Sequence, residues 1–201
     1  MIPSSSVARS ARGREVVAAG RQLLEEEGLE ALTMRRLAER VGIRAPSLYK
    51  HLPDKAALEA AIIATGFEEA AAAFEQAVDS AGKGPGEGSG EGRGEGPGGG
   101  PGEGAGDALV ALAAAYRRFA LEHPHLYRLM NNGPLPRAHL PPGLEGRTAA
   151  PLLRVAGSEA RARAVWAFAH GMVMLELDQR FPPDADLDAA WRAGIAAFRP
   201  D

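Results

Sequence analysis

Cysteine is absent from this chain of 201 residues, so neither a disulfide framework nor a thiolate zinc site can form. Long hydrophobic runs are also lacking. The longest uncharged apolar run, residues 164–175, is well below the roughly 20 residues that a membrane span needs. The opening residues, MIPSSSVARSARGR, have no apolar segment behind their charges, unlike a secretory signal. These absences predict a soluble cytoplasmic protein that does not contact a membrane.

Alternation of the kind found in β-strands is hard to find, β-branched residues are sparse, and alanine is abundant. This composition predicts an all-α fold. The net charge of −3 is spread unevenly, because residues 1–55 carry ten basic and seven acidic side chains and are therefore positive. A basic N-terminal part followed by an acidic remainder suggests that only the first part meets a polyanion.

Local signals place four helices in the first 80 residues, over about 14–27, 34–41, 46–53 and 55–80. Gly28 and Gly42 would end the first two, since glycine adopts the left-handed conformation at little cost. Thr33 and Asp54 are suitable N-caps for the second and fourth. Pro46 suits the first turn of the third, where its missing N–H would have no partner in any case.

Residues 33–52, TMRRLAERVGIRAPSLYKHL, have the length and the glycine turn of a helix-turn-helix. In such a unit the first helix supports the second, which lies in the major groove with its N-terminal residues at base edges. Several polar side chains cluster where phosphates and base edges would be: Arg44, Ser47, Tyr49, Lys50 and His51. Double-stranded DNA is therefore the predicted partner. The alternative is a small-molecule carrier or enzyme built on a helical bundle, which would not require this basic, hydroxyl-rich helix.

Residues 82–106 have glycine at nearly every second position, separated by proline, serine, alanine and charged residues. Such a segment has almost nothing apolar to bury, and we expect a disordered linker. The glycine period of two excludes collagen, whose period is three.

Helices resume with one that ends near His123, a second that starts at Pro124, and a loop over residues 133–146. A longer helix begins at Ser158 or Glu159. It carries two apolar stripes, formed by Val165, Phe168, Met172 and Leu175 and by Trp166, Val173, Leu177 and Phe181. A helix that is apolar on two sides needs two packing partners, and the simplest second partner is another subunit. The last helix, from about Asp186, could complete this homodimer interface.

No catalytic constellation is found, and no cofactor is predicted. The chain has neither a nucleophile motif nor a phosphate-binding glycine loop, and Glu68 and Glu69 have the pattern of a solvated helix face. No acidic residue recurs at ligand spacing from the histidines, so no metal site is predicted. The histidines considered were His123, His125, His139 and His170.

The segments LAERVGI and LYKHLPDK, with a threonine opening the second helix, resemble the DNA-binding domain of the TetR family of transcriptional regulators over about residues 14–67. The segment AVWAFAHGMVMLELDQRF resembles the Trp-His-Gly signature of one C-terminal domain class in that family, at Trp166, His170 and Gly171. Two positions depart from the family pattern. Arg44 stands where a capping serine is common, and Leu52 stands where an aromatic residue is common.

The resemblance implies roles for individual side chains. Thr33, Tyr49 and Lys55 would bond phosphates. Other residues would face bases, namely Ala45, Pro46, Ser47 and Lys50, while His51 could serve either purpose. The basic residues Arg9, Arg12 and Arg14 would form an arm that follows the DNA backbone or minor groove.

The resemblance further implies a repressor that binds a pseudo-palindromic operator as a dimer and is released by a small apolar effector. Candidate effector-binding residues are Phe67, Phe74, Tyr116, Phe119, Tyr127, Met130 and Trp166. The segment between residues 132 and 158 is shorter than the usual pocket-forming helices of the family. A DNA-binding protein without an effector therefore remains an alternative.

We accordingly predict four regions. Residues 1–54 form the helix-turn-helix domain with its N-terminal arm, and residues 55–81 form a long connecting helix. Residues 82–106 are the linker, and residues 107–201 form a regulatory and dimerisation domain.

Overall fold

The computed structural model describes residues 10–83 and 101–199. Within these ranges the chain forms nine α-helices and no β-strand, which confirms the predicted all-α fold. The helices are α1 (Ala11–Glu27), α2 (Met34–Val41), α3 (Ala45–Leu48), α4 (Lys55–Gly82), α5 (Pro101–Glu122), α6 (Pro124–Asn131), α7 (Leu144–Ala156), α8 (Glu159–Leu177) and α9 (Leu187–Ala196). None of the helices in the described ranges is both long enough and apolar enough to cross a lipid bilayer.

The chain divides into two compact units. The first unit contains the residues up to Glu69 together with Glu122–Glu145, and the second contains Ala70–Leu121 with the residues from Gly146 onward. This division differs from the four predicted regions, because α6 belongs to the same unit as the N-terminal helices. Helix α4 supplies residues to both units.

Helix α1 starts three residues earlier than expected. The hydroxyl of Ser10 accepts a hydrogen bond from the Gly13 N–H at 2.9 Å and caps the helix there. Two residues of the predicted arm, Arg12 and Arg14, therefore lie within a helix. Arg12 donates to Glu15 one turn away at 2.7 Å. Arg9 lies outside the described residues.

The predicted caps of α2 and α4 are confirmed. The Thr33 hydroxyl accepts from the Arg36 N–H at 3.3 Å, and Gly42 ends α2 in the left-handed conformation with φ 69°. The Asp54 carboxylate accepts from the Ala57 N–H at 2.7 Å at the start of α4. These local bonds satisfy backbone groups that a helix end leaves unpaired, and so fix where each helix begins and ends.

Helix α6 belongs to the first unit because two contacts hold it there. The Glu25 carboxylate at the end of α1 accepts from the backbone N–H of Leu126 at 3.2 Å. Gly66 on α4 lies so close that a Cβ there would be 2.7 Å from the sulfur of Met130 and 2.9 Å from a Leu126 methyl group. Burial of Leu126 and Tyr127 completes the contact.

Two further helices, α5 and α7, extend into segments predicted to be irregular. Helix α5 begins at Pro101, inside the predicted linker, as suits a residue that favours the first turn of a helix. The rest of that linker from residue 84 to residue 100 lies outside the described residues. Helix α7 begins at Leu144, inside the predicted loop over 133–146, and continues through Pro151. Burial of Leu144 and Val155 stabilises α7 through tertiary packing, which local sequence signals do not predict.

Helices α5, α8 and α9 of the second unit are joined by a network around Glu176, whose side chain is 6% exposed. Its carboxylate accepts from the Nε of Arg117 at 3.0 Å and from the indole N–H of Trp191 at 2.5 Å. Arg117 also donates to Asp188 at 2.6 Å, and this hydrogen bond lowers the pKa of the Asp188 carboxyl. The buried carboxylate is thereby paired and hydrogen-bonded, as a buried charge requires.

The turn before α3 yields a stability prediction. Gly42→Ala should lower the free energy of unfolding by about 1–2 kcal/mol, because an L-residue is strained at φ 69°. No atom lies within 4 Å of the added Cβ, so the cost comes from the backbone alone. Gly146→Ala is the matched control: its Cβ also meets nothing, but it lies in α7, where alanine should raise stability by roughly 0.5–1 kcal/mol. Urea unfolding followed by circular dichroism measures both, and shifts of the same sign would contradict the account.

Candidate nucleic-acid interface

The recognition segment, residues 44–52, holds helix α3 and the turn that follows it. Helix α3 has only four residues, shorter than the two-turn helix predicted, with Pro46 in its first turn. The backbone nevertheless stays hydrogen-bonded beyond it, since Tyr49 N–H donates to Ala45 at 3.2 Å and Leu52 N–H donates to Leu48 at 3.0 Å. No side chain caps the start of α3 at Arg44, consistent with the missing capping serine.

Two leucines fix which side of the recognition segment faces inward. Leu48 is fully buried and Leu52 is 3% exposed. The polar side of the segment is consequently exposed, including Arg44, Ser47 and Lys50, while His51 is half-buried. Tyr49 is 50% exposed and does not fill the core. The remaining candidate base-facing residues, Ala45 and Pro46, are also exposed.

The cations of the recognition segment are available to a polyanion. In the described ranges, neither Arg44 nor Lys50 has a carboxylate within 4.0 Å. Lys55 lies 3.5 Å from Glu59, and both side chains are partly exposed, so this ion pair is weak. The Thr33 hydroxyl accepts the capping bond and keeps its own proton free to donate to a phosphate.

Sequence reasoning did not include the basic residues of α2 in the candidate site. Arg35 is 88% exposed and pairs along the helix with Glu39 at 2.9 Å. Arg36 and Arg40 instead form ion pairs with Glu27 and Glu26 at the end of α1. The signal that could have drawn attention to them is their place on the first helix of a helix-turn-helix, which crosses the DNA backbone.

Three of the seven candidate effector-binding residues meet in the second unit. Phe74 stacks on Tyr116 with ring centroids 5.7 Å apart and contacts Phe119 edge-on at 6.3 Å. Phe74 and Phe119 are each 7% exposed, so the three rings are closely packed.

The other four candidates are Phe67, Tyr127, Met130 and Trp166. Phe67, Tyr127 and Met130 belong to the first unit. Trp166 is 52% exposed on α8, with its ring 6.4 Å from that of His170. Partial burial lowers the pKa of His170, which favours its neutral form. In the part of the chain that the structure describes, no three histidine or acidic side chains are grouped as metal ligands would be.

Two family models match the chain. One, described as bacterial regulatory proteins of the tetR family, matches residues 16–62, and the other, a tetracyclin repressor-like C-terminal domain, matches residues 109–198. Together they cover about two thirds of the chain. The first match contains the whole recognition segment.

Individual relatives agree with these matches. The tetracycline repressor protein class G of Vibrio anguillarum is 51% identical over 43 residues, which are 21% of this chain and 20% of that protein. The chain thus matches only about a fifth of that relative's length. An uncharacterized HTH-type transcriptional regulator of Mycobacterium tuberculosis is 28% identical over 92% of this chain and 80% of its own.

Solved structures resemble the chain over most of its length. A protein of unknown function from Rhodococcus sp. RHA1 superposes with a TM-score of 0.68 at 25% identity, covering 92% of this chain and 91% of that one. A variant TetR from Acinetobacter baumannii AYE, in complex with minocycline, superposes with a TM-score of 0.55 at 24% identity, covering 96% and 99%. The latter likeness supports the fold.

Tyr49 provides the test of the interface. Tyr49→Ala should weaken binding to a duplex selected from a random library roughly tenfold or more, because a hydrogen bond to a charged group contributes about 1.5–3 kcal/mol. Tyr49→Phe, which removes only the hydroxyl, should weaken binding to the duplex nearly as much as Tyr49→Ala does. Val110→Ala is the control, since Val110 is similarly exposed but lies in the second unit. Mobility-shift titration measures all three, and unchanged binding by both Tyr49 variants would contradict the assignment.

Proposed function

The chain belongs to the tetR family of bacterial regulatory proteins, which are DNA-binding transcriptional regulators, and on that premise we propose that it is a repressor. It binds a pseudo-palindromic operator as a homodimer and is released by a small apolar effector. A regulator of this kind acts where the chromosome is, so the proposal places it in the cytoplasm.

The observation that carries the proposal is the exposed polar side of the recognition segment. Its inner side is occupied by buried Leu48 and Leu52, and Ser47, Tyr49 and Lys50 are exposed to solvent. A short segment with this arrangement fits the major groove, whose width admits one helix. Phosphate contacts from Thr33, Tyr49 and Lys55 would fix its position. The exposed residues that would contact base edges are Ala45, Pro46, Ser47 and Lys50.

The proposed dimer forms through the last two helices. Helix α8 buries one face, formed by Ala162, Val165, Ala169 and Val173, and leaves Ala164, Ala167 and Leu175 exposed on the opposite side. Helix α9 buries Trp191 and Ile195 and leaves alanines exposed. Of the residues of the two predicted apolar stripes, Val165 and Val173 belong to the buried face and Leu175 to the exposed side. Exposed small and apolar side chains on adjacent helices suit close packing against a second copy.

The proposed effector site is centred on the aromatic cluster of Phe74, Tyr116 and Phe119. An effector that binds the DNA-free state more tightly would shift the population away from the DNA-bound state. A relative from Acinetobacter baumannii is described in complex with minocycline, a small molecule. The close packing of the three rings favours a second candidate, a DNA-binding regulator that needs no effector.

Salt dependence tests the proposed DNA binding. The logarithm of the affinity for a duplex should fall linearly with the logarithm of the salt concentration, with a slope of about −0.9 for each phosphate contacted. Fluorescence anisotropy with a labelled duplex selected from a random library measures the slope. A helical-bundle carrier or enzyme would show no duplex binding at any salt concentration, and that result would overturn the proposal.

The outer face of α8 tests the proposed dimer. Ala167→Arg should convert the dimer to a monomer, because it places a charge in a desolvated interface. Ala72→Arg is the matched control, since Ala72 is an exposed alanine on α4 in the same unit. Sedimentation equilibrium gives the mass of each variant. A dimer that persists in Ala167→Arg, or a wild-type protein that is monomeric, would contradict an interface at this face.

A further inference from the structure

The basic residues of α2 and those of the recognition segment differ in their partners. All three arginines of α2 are ion-paired: Arg35 with Glu39, Arg36 with Glu27, and Arg40 with Glu26. Arg44 and Lys50, a few residues later, have no carboxylate partner in the described ranges. Positive charge is therefore neutralised on the first helix of the helix-turn-helix and left free in the recognition segment.

In the ion pairs between α1 and α2, each arginine contacts both carboxylate oxygens of its glutamate. Arg36 meets both carboxylate oxygens of Glu27, with Nη1–Oε2 at 2.5 Å and Nη2–Oε1 at 2.9 Å. The Nη2 of Arg40 lies 2.7 Å from each oxygen of Glu26. Arg36 and Arg40 are one helical turn apart, and the two glutamates are consecutive at the end of α1. Two neighbouring arginines are thus held by two neighbouring acids.

Stability alone does not account for these pairs. Their side chains are between 29% and 56% exposed, and surface ion pairs of this kind contribute only about 0–1 kcal/mol. Burial of leucines on both helices, including Leu24 of α1 and Leu37 of α2, stabilises the unit more than these pairs do. The main physical effect of the glutamates is on charge, since each cancels one cation at the surface.

Positive charge on the surface of α2 affects how strongly the protein prefers its operator over other DNA. The first helix of a helix-turn-helix crosses the DNA backbone, so free arginines on it would contact phosphates of any sequence. We propose that Glu26 and Glu27 are specificity-determining residues that neutralise Arg40 and Arg36 and thereby lower the affinity for non-operator DNA. The inference rests on the proposed function, because it requires that this unit bind duplex DNA.

The double variant Glu26→Gln/Glu27→Gln tests the inference. Freeing two arginines should steepen the salt dependence of binding to a random-sequence duplex by about 1.8, at roughly 0.9 for each new phosphate contact. Affinity for that duplex should rise several-fold, while affinity for a selected operator should rise less, so that the ratio of the two falls. Fluorescence anisotropy on both duplexes, over a range of salt concentrations, gives the slopes and the ratio.

The matched control is Glu30→Gln/Glu68→Gln, which changes the net charge by the same amount. Glu30 and Glu68 are exposed and have no ion-pair partner among the residues that the structure describes. A general gain in positive charge would act equally in both double variants. Equal slopes in the test and control variants would therefore overturn the inference.

A second double variant tests the inference independently if the first folds poorly. Arg36→Gln/Arg40→Gln should leave the slope for random-sequence DNA unchanged, because the arginines are already neutralised. A shallower slope would show that they contact phosphates despite their pairs, and would overturn the inference.

These outcomes differ from failure of the proposed function, in which the wild-type protein itself would not bind a duplex. Thermal unfolding midpoints within a few degrees of wild type confirm that each variant is folded.

Discussion

Burial of Leu48 and Leu52 is the constraint on which the rest of the site depends. A helix of four residues has no stability of its own, because nucleating a helix costs more than so few hydrogen bonds return. Its shape is held by the two leucines, by the left-handed glycine that ends α2, and by the capped start of α4 at Asp54. Because both ends of the recognition segment are fixed and its inner side is buried, its polar side chains face solvent.

The charges of the first unit are arranged around that segment. Three carboxylates at the end of α1 bind neighbouring helices. Glu25 accepts a hydrogen bond from the backbone of α6, and Glu26 and Glu27 form ion pairs with arginines of α2. The same three acids thus connect the helix-turn-helix to α6 and limit where positive charge remains free. Positive charge is paired on α2 and unpaired in the recognition segment, although the two are separated by only a short turn.

Features governed by short-range hydrogen bonds could be predicted from the sequence. The caps at Thr33, Asp54, Ser158 and Asp186 and the turn at Gly42 each depend on residues within three positions of one another. Features governed by distant contacts could not. Helix α6 joins the first unit through a bond between Glu25 and Leu126, which are 101 residues apart. Helix α7 forms across Pro151 because Leu144 and Val155 are buried, and composition alone indicated a loop over its first residues.

The same distinction explains the candidate site residues. A helical period predicts which positions share a face, so the exposed polar residues from Arg44 to Lys50 are found together. It does not predict which helix a face will meet, and the cluster of Phe74 with Tyr116 and Phe119 depends on how α4 and α5 pack. The pairing of Arg36 and Arg40 with α1 likewise depends on tertiary structure.

Chemical-shift perturbation of the backbone amides on titration with a selected operator duplex tests the central claim most directly. We expect the largest changes in residues 44–52, at Thr33 and at the start of α4, with small changes in α9. Perturbations confined to the second unit, or an absence of change in residues 44–52 on saturation with the duplex, would contradict it.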